Sequence, residues 1–324
     1  MDGSIPGSGM DKRSGALTVD QQSTFNSPAN TNALETTAEA DKAYSETRRF
    51  FQVFFGRGLA VIGLALILSL IFAAVFAPWL APYDLYKMDL RNKLAQPSRE
   101  HWLGTDNMGR DTLSRIICGA RSSLMVGIFA VGASAIIGEM LGLIAGYFGG
   151  ATFHIIMRCI DALMAIPMLL NALIIASVLG GGLQNVIIAL AIGGIPGQCR
   201  MMCGQTLTVK QNDYVLAGRA MGMGNVRMMV AEIFPNAFPP LLVMISIGLG
   251  ATILAEASLS FLGIGIEPPG AAWGSMVNDG YKFLLTNPIL SFAPGLAIML
   301  TVFGFNMVGD GLRDAIDPKL RGIL

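Results

Sequence analysis

Six stretches of the chain are apolar over roughly 20 residues, the length an α-helix needs to cross a hydrocarbon core of about 30 Å. They run from Leu59 to Trp79, Ser123 to Tyr147, Ile160 to Leu179, Leu183 to Cys203, Phe238 to Leu262 and Ile289 to Val308. Each is expected to be a membrane-spanning helix, because a helix satisfies its own backbone polar groups where no water can. The first is dense in Leu, Ile and Phe, which suits a lipid-facing edge. The later five are rich in Gly and Ala, which lets helices approach closely. Pro167 and Pro196 fall inside the third and fourth, and each removes a backbone donor. Bends are therefore predicted there, either as a matter of packing or because they line a pathway.

Three polar intervals separate these runs: Ala81 to Arg121, Gly204 to Asn236 and Gly263 to Asn287. The layout that follows is a tail over residues 1–50, a first transmembrane helix over 51–80, an extracytoplasmic segment over 81–120, and a five-helix core over 121–324 with a loop at about 204–236. Ser, Thr, Asn, Gln and Ala dominate the tail, which has too little to bury to order itself. The first apolar run starts too late for a cleaved signal peptide. No cysteine stands near the N-terminus to carry a lipid. An even number of spans puts both termini on one side, and the Lys and Arg count favours the cytoplasm only slightly.

Composition supports a membrane protein and narrows its chemistry. Of 324 residues, 53% are hydrophobic and 14% charged, against about 25% charged in soluble domains. The net charge of zero gives no reason to expect a nucleic-acid partner. Cys118, Cys159, Cys199 and Cys203 form no CxxC pair and read as small hydrophobes. With only two histidines, far apart, a multi-histidine metal site is not expected. There is no GxxxxGK[ST] phosphate loop and no nucleophile elbow. No metal, cofactor or catalytic residue is expected in this chain, so it is not read as an enzyme.

The loop from Gln211 to Pro240 reads QNDYVLAGRAMGMGNVRMMVAEIFPNAFPP. Asn212 or Asp213 is a good N-cap. Tyr214, Ala217 and Met221 then share a face at helical spacing, and Gly222 and Gly224 are natural stops. The result is a helix of two to three turns, too short and polar to span. Two readings stand: a partner-binding helix with an adaptable Tyr-Ala-Met knob, or an ordinary interfacial helix.

This loop resembles the EAA loop of ABC-importer permeases, whose pattern is E-A-A-x3-G followed by I-x-L-P. The matching positions are Leu216, Ala217, Gly218, Gly222, Ile233, Phe234 and Pro235. Leu216 replaces the glutamate, Gly218 an alanine and Phe234 the leucine. In that family the short helix docks into a cleft of the ATPase on the cytoplasmic side. The resemblance therefore implies ATPase coupling by Asp213, Tyr214, Leu216, Ala217, Gly218, Ala220, Met221, Gly222, Ile233 and Pro235, with cytoplasmic termini. With Asp213 as N-cap, position 216 is N3, where glutamate would close a capping box. Leu216 cannot, and is expected to pack on the partner or the membrane instead.

Further blocks resemble one branch of the family. HWLGTDNMGRDTLSRIICGARSSL, His101 to Leu124, is similar to the H-P-L-G-T-D-x-x-G-R-D-x-x-S-R stretch of the C-type subunit in dipeptide and oligopeptide permeases, with Trp102 in place of proline. EASLSFLGIGIEPPGAAWGSM, Glu256 to Met276, and GDGLRDAIDPKLR, Gly309 to Arg321, also resemble that branch. The fold implied is all-α: the type I ABC importer permease with six transmembrane helices and a cytoplasmic coupling helix. The function implied is the pore-forming subunit of an importer of dipeptides or oligopeptides in the cell membrane. Its implied partners are a second homologous permease, two ATP-binding subunits and an extracytoplasmic substrate-binding protein. Nickel or another small solute is the alternative cargo. A self-contained secondary transporter is the competing class, expected to show an inverted repeat that this chain does not display.

Read on their own, Asp111 to Arg121 suit a helix lying in the outer interface, with Arg110, Ser114 and Arg115 on its polar side; a connector with snorkelling arginines is the alternative. Trp273 and the Pro268-Pro269 pair suit either the headgroup region or an external receptor. Ionisable residues inside spans are site candidates by default. Glu139, Asp161 and Glu256 qualify, and Asn171 is a further candidate pathway residue. For Asp161 a structural pairing with Arg158 is the alternative, and for Glu139 and Glu256 a helix-to-helix hydrogen bond.

Overall fold

The computed structural model describes residues 48–266 and 270–316. The chain divides into Met1–Gln52 and Val53–Leu324. In the first unit residues 48–52 are described, and they are helical; the expected tail otherwise lies outside the described residues. So do Pro268, Pro269 and the chain from residue 317 onward.

The second unit is helical throughout its named elements: α1 Gly58–Val75, α2 Ala77–Leu80, α3 Thr112–Phe148, α4 Gly150–Met164, α5 Met168–Leu179, α6 Leu183–Val209, α7 Asp213–Ala220, α8 Pro239–Phe261, α9 Trp273–Tyr281 and α10 Ile289–Ile316. A short α turn, Asn225–Arg227, a π-helical turn, Met228–Ile233, and another α turn, Phe234–Ala237, join α7 to α8. Among the described residues no strand forms, and one isolated bridge links Thr105 to Asp111.

Five helices (α1, α3, α6, α8 and α10) are each long and apolar enough to cross a membrane. A sixth apolar segment of spanning length is the pair α4 and α5, bent by 85°. The bend expected at Pro167 within Ile160 to Leu179 is present, as a full break between two helices. The chain breaks at Pro167, whose backbone is extended (φ −52°, ψ 137°), because a proline there has no N–H to continue the ladder. The helix before the break starts at Gly150, ahead of the apolar run, and carries His154 and Arg158.

The second span is also longer than its apolar stretch. α3 has 37 residues, about 55 Å at 1.5 Å per residue, so its first turns project beyond a 30 Å core. Asp111 to Arg121 is therefore the head of this spanning helix and not a separate interfacial one. Asp111 caps it, accepting from the Ser114 amide at 2.8 Å and from the Ser114 hydroxyl at 2.8 Å. His101 Nδ1 lies 2.9 Å from the other Asp111 oxygen. Arg110 and Arg115 do not snorkel: both are buried. The Asp106 carboxylate accepts from Arg110 Nε at 2.7 Å and from Arg115 Nη1 at 2.5 Å. Trp273 is buried too, and its indole N–H donates to the Ile116 carbonyl at 2.9 Å. It fills space against α3 instead of resting in headgroups or meeting a receptor.

The centre of the bundle is α3 against α6. Gly138, Gly142 and Gly146 form a ridge at four-residue spacing on α3. A Cβ at these positions would lie 2.7 Å from Gln198 Cβ, 2.3 Å from the Cys199 carbonyl oxygen and 2.8 Å from Thr206 Cβ. In lipid, such small-residue ridges let dispersion contacts hold helices together without a water-driven term. α1 uses the same device against α10: a Cβ on Gly63 would stand 2.5 Å from Met307 Cβ, and one on Gly311 would stand 2.6 Å from Ala60 Cβ. An ion pair from Arg57 to Asp314 ties the same helix ends together. Leu59, Ile62, Leu68, Phe72 and Val75 stay exposed on the other side of α1, as a lipid-facing helix requires.

Candidate functional site

The loop between α6 and α8 folds as a small helical knot on the Tyr147 end of α3. Its helix, α7, has Asn212 as N-cap, in extended conformation, with no side-chain capping bond. Asp213 is thus the first helical residue, and Leu216 is the fourth. The capping-box position falls on Val215, which is fully buried, so the Asp213-based capping argument for position 216 is corrected. The C-terminus follows the expected glycine logic at one position. Gly222 adopts φ +81°, its N–H donates to the Arg219 carbonyl at 3.0 Å, and the Met223 N–H donates to the Gly218 carbonyl at 3.0 Å. These two bonds are a Schellman ending. Gly224 is not a second stop: with φ −65° and ψ 148° it opens the next turn.

Two faces of α7 have different fates. Val215 and Gly218 point inward. Val215 joins a cluster with Leu143, Tyr147, Met202, Met228 and Ile233. A Cβ on Gly218 would lie 2.9 Å from Met228 Cε, so the methionine occupies the volume an alanine methyl would need. Asp213, Tyr214, Leu216, Ala217, Ala220 and Met221 are exposed, with Met221 at 79% and Leu216 at 51%. Ile233 is buried beneath the helix, whereas Pro235 is exposed.

Tyr147 is the anchor for this knot. Its hydroxyl donates to Asn225 Oδ1 at 2.8 Å, and its carbonyl accepts from Lys210 Nζ at 2.6 Å. The Arg219 guanidinium stands over its ring at 5.1 Å and the Lys210 ammonium at 5.6 Å. Burial, and then the Arg219 charge, hold the Lys210 ammonium below the usual lysine range. The spanning helix and the loop are therefore joined by a ring, two polar bonds and two cations. Sequence reasoning passed over Tyr147, Lys210 and Asn225. Only Tyr147 gave a signal, as an aromatic at the end of an apolar run.

The pathway candidates are dispersed. Glu256 on α8 is fully buried, accepting from Ser260 at 2.7 Å and from Ser123 of α3 at 3.3 Å. It links helices inside the chain. Glu139 is buried on α3, and its Oε1 has no hydrogen-bond partner among the described residues; the same holds for Gln198 Oε1 on the facing helix. Asn171, at the start of α5, donates weakly at 3.4 Å to the Leu163 carbonyl of α4, across the bend. Asp161 pairs with Arg200 of α6 at 2.5 Å and not with Arg158. Among the described residues no three His, Cys, Asp or Glu side chains converge.

Residues 138–322 match the family described as the binding-protein-dependent transport system inner membrane component. Residues 45–97 match the N-terminal transmembrane domain of oligopeptide transport permease C. The dipeptide transport system permease protein DppC of Alkalihalophilus pseudofirmus is 42% identical over 86% of this chain and 92% of its own length. The glutathione transport system permease protein GsiD of Pectobacterium atrosepticum is 42% identical over 85% and 91%. The oligopeptide transport system permease protein OppC of Bacillus subtilis is 40% identical over 91% and 96%. Among structures, an inward-facing form of the MetNI methionine ABC transporter superposes with TM-score 0.53 at 18% identity, covering 63% of this chain and 98% of that one. That likeness concerns the fold. The chain belongs to the family of inner-membrane permease components of binding-protein-dependent, ABC-type importers. Within it, the match at the N-terminal end places the chain with the C-type permeases, multi-pass membrane proteins that form the pore.

Proposed function

We propose that this permease imports peptides on ATP hydrolysed by separate subunits, and that α7 is the surface through which the motor acts. The observation that carries the motor contact is the division of α7. Its inward residues are locked to the spanning helices, while Tyr214, Ala217 and Met221 face out, exposed among the described residues. Such a face is an apolar knob for a groove on another protein. Force on it reaches α3 through Tyr147 and α6 through Lys210, and these two helices share the glycine ridge. A small displacement of the knot would thus rock the centre of the bundle.

The peptide cargo is supported by the names of the relatives, which transport dipeptides, oligopeptides or glutathione. In this reading the α7 end is cytoplasmic, as are both termini. The complex holds a second homologous permease, two ATP-binding subunits and an extracytoplasmic binding protein. This chain contributes no catalytic group or cofactor of its own. The test is reconstitution of the complete complex in proteoliposomes with a radiolabelled dipeptide inside its binding protein. Uptake should require ATP hydrolysis and should stop when residues 213–221 are deleted or when Ala217→Arg blocks the knob. Uptake that persists without hydrolysis, or with the knob removed, would overturn the assignment.

A further inference from the structure

Arg115, at the head of α3, is 3% exposed. Its Nη1 donates to Asp106, but its Nε has no hydrogen-bond partner among the described residues. Asp106 cannot take that donor. Its Oδ1 already accepts from the Met108 and Arg110 amides, and its Oδ2 from Arg110 Nε and Arg115 Nη1. A carboxylate offers about four lone-pair sites, so all of them are taken. A buried donor left unmade costs its full desolvation. Two oxygens nearby are in the same position among the described residues: Thr112 Oγ1, on a residue 1% exposed, and Asn107 Oδ1, itself a buried atom.

Arg115, Thr112 and Asn107 line one small pocket, and Asp279 of α9 lines it with them. The Asp279 carboxylate acts on the Arg115 charge, although the ion pair of Arg115 goes to Asp106. Met276, Phe283 and Leu290 form the apolar wall. The pocket leaves about 10 Å³ for the centre of a water molecule, and one water needs about 10–15 Å³ on that measure. Its lining also selects the occupant. A cation would meet the guanidinium of Arg115, and an anion would meet the carboxylates of Asp106 and Asp279. The pocket offers an unpaired donor together with unpaired acceptors, and a neutral molecule that both donates and accepts answers both. At this volume that molecule is a single water.

We infer that this pocket is the binding site of one structural water, which joins α9 to the head of α3 and to the external segment. The water accepts from Arg115 Nε and from the Thr112 hydroxyl, and it donates to Asn107 Oδ1 and to the Asp279 carboxylate. That is four partners, the most a buried water takes. The bridge gives α9 a second tie to α3. Its first residue, Trp273, already donates its indole N–H to the Ile116 carbonyl, and Asp279, two residues before its Tyr281 end, is held through the water to Arg115. Arg115 thus carries Asp106 on one side of its guanidinium and, through the water, Asp279 on the other.

The direct test is a density map of the complete complex, fine enough to show ordered water. A peak should stand about 2.7–3.2 Å from Arg115 Nε, Thr112 Oγ1 and Asn107 Oδ1. No peak, an Asp279 carboxylate seated directly on Nε, or a peak with ligands at the roughly 2.0–2.6 Å of a bound cation would overturn the proposal. A second test is a double-substitution cycle on the melting midpoint of the complex in detergent. Thr112→Val and Asp279→Leu should each lower it by about 2–4 °C. Because both side chains act through one water, the double variant should lose less than the sum. Thr112→Ser and Asp279→Asn keep a polar oxygen at each place and should melt near the parent. Losses that add, or conservative variants that melt as low as the apolar ones, would overturn the bridge. The map needs no variant, so it stays decisive if Asp279→Leu fails to assemble.

Discussion

The Tyr147 hydroxyl donates to Asn225 Oδ1 at 2.8 Å, tying the last turn of α3 to the connector that follows the exposed helix α7. The bond spans the boundary between a membrane helix and the loop proposed to meet the motor, so it is a place where motion can be transmitted or lost. Tyr147→Phe keeps the ring under Arg219 and removes only the bond, a loss of about 0.5–1.5 kcal/mol. The complex should assemble normally and hydrolyse more ATP per peptide imported. Tyr147→Ala removes the ring as well and should cost about 3–5 kcal/mol of stability. An unchanged ATP-to-peptide ratio in Tyr147→Phe would show that the bond transmits nothing.

Position 218 can be returned to the alanine of the related loops. The added methyl would meet the end of the flexible Met228 side chain at 2.9 Å, which can rotate away. Gly218→Ala should therefore be tolerated within about 1 kcal/mol, whereas Gly218→Leu should unseat α7. Leu216 lies on the exposed side at a position that closes no capping box. Leu216→Glu should leave thermal stability within about 0.5 kcal/mol and keep ATPase coupling at least at the parent level. Loss of transport in Leu216→Glu would mean that the leucine itself is read by the partner.

The glycine ridge gives a steric contrast within one helix. A methyl on Gly142 would stand 2.3 Å from the Cys199 carbonyl oxygen, while one on Gly132 would meet nothing within 4 Å. A backbone carbonyl cannot swing aside as a side chain can, so Gly142→Ala must spread α3 from α6. It should cost about 1–3 kcal/mol or more and lower the yield of folded complex. Gly132→Ala should be neutral or slightly stabilising, by up to about 1 kcal/mol. Melting of the two variants in the same detergent checks this, and equal midpoints would count against the ridge.

At the opposite end, Asp106 holds the external segment. Burial alone would raise its pKa, but the Arg110 and Met108 amides and the Arg115 and Arg110 charges outweigh it, so the carboxyl titrates below its ordinary 3.8. A depressed folded-state pKa supplies stability that is present above the unfolded value and lost as pH falls through the folded one. The thermal midpoint should thus be insensitive to Asp106 down to about pH 5 and fall below about pH 4. Asp106→Asn leaves two buried guanidiniums without their anion and should cost about 3–5 kcal/mol at neutral pH. A midpoint unchanged by that substitution would remove Asp106 from its organising role.

Much of the architecture was legible in the order of residues. Three of the expected spans lie within helices that form, and a fourth, Phe238 to Leu262, overruns α8 by one residue at each end, because hydropathy and length are the constraints a bilayer imposes. The end of α7 at Gly222 was legible because only a residue without a Cβ takes φ +81° cheaply. The blocks around Asp106, Gly222 and Trp273 identified the family.

What the order of residues left open depended on which distant groups meet. Asp161 has Arg158 one turn away, yet it bonds Arg200 because α6 passes alongside α4. Trp273 has the composition of an interfacial anchor, yet it is buried because Gly119 opens a slot for it on α3. Arg110 and Arg115 look solvated until Asp106 is seen between them. By itself the sequence determined that the chain crosses a membrane several times, that its short loop helix stops at Gly222, and to which family it belongs. These follow from local periodicity, chain length and backbone sterics. The tertiary structure alone decided which charges are neutralised, which face of α7 is left open and which ion pair stays half exposed, since each depends on contacts between residues far apart in the chain.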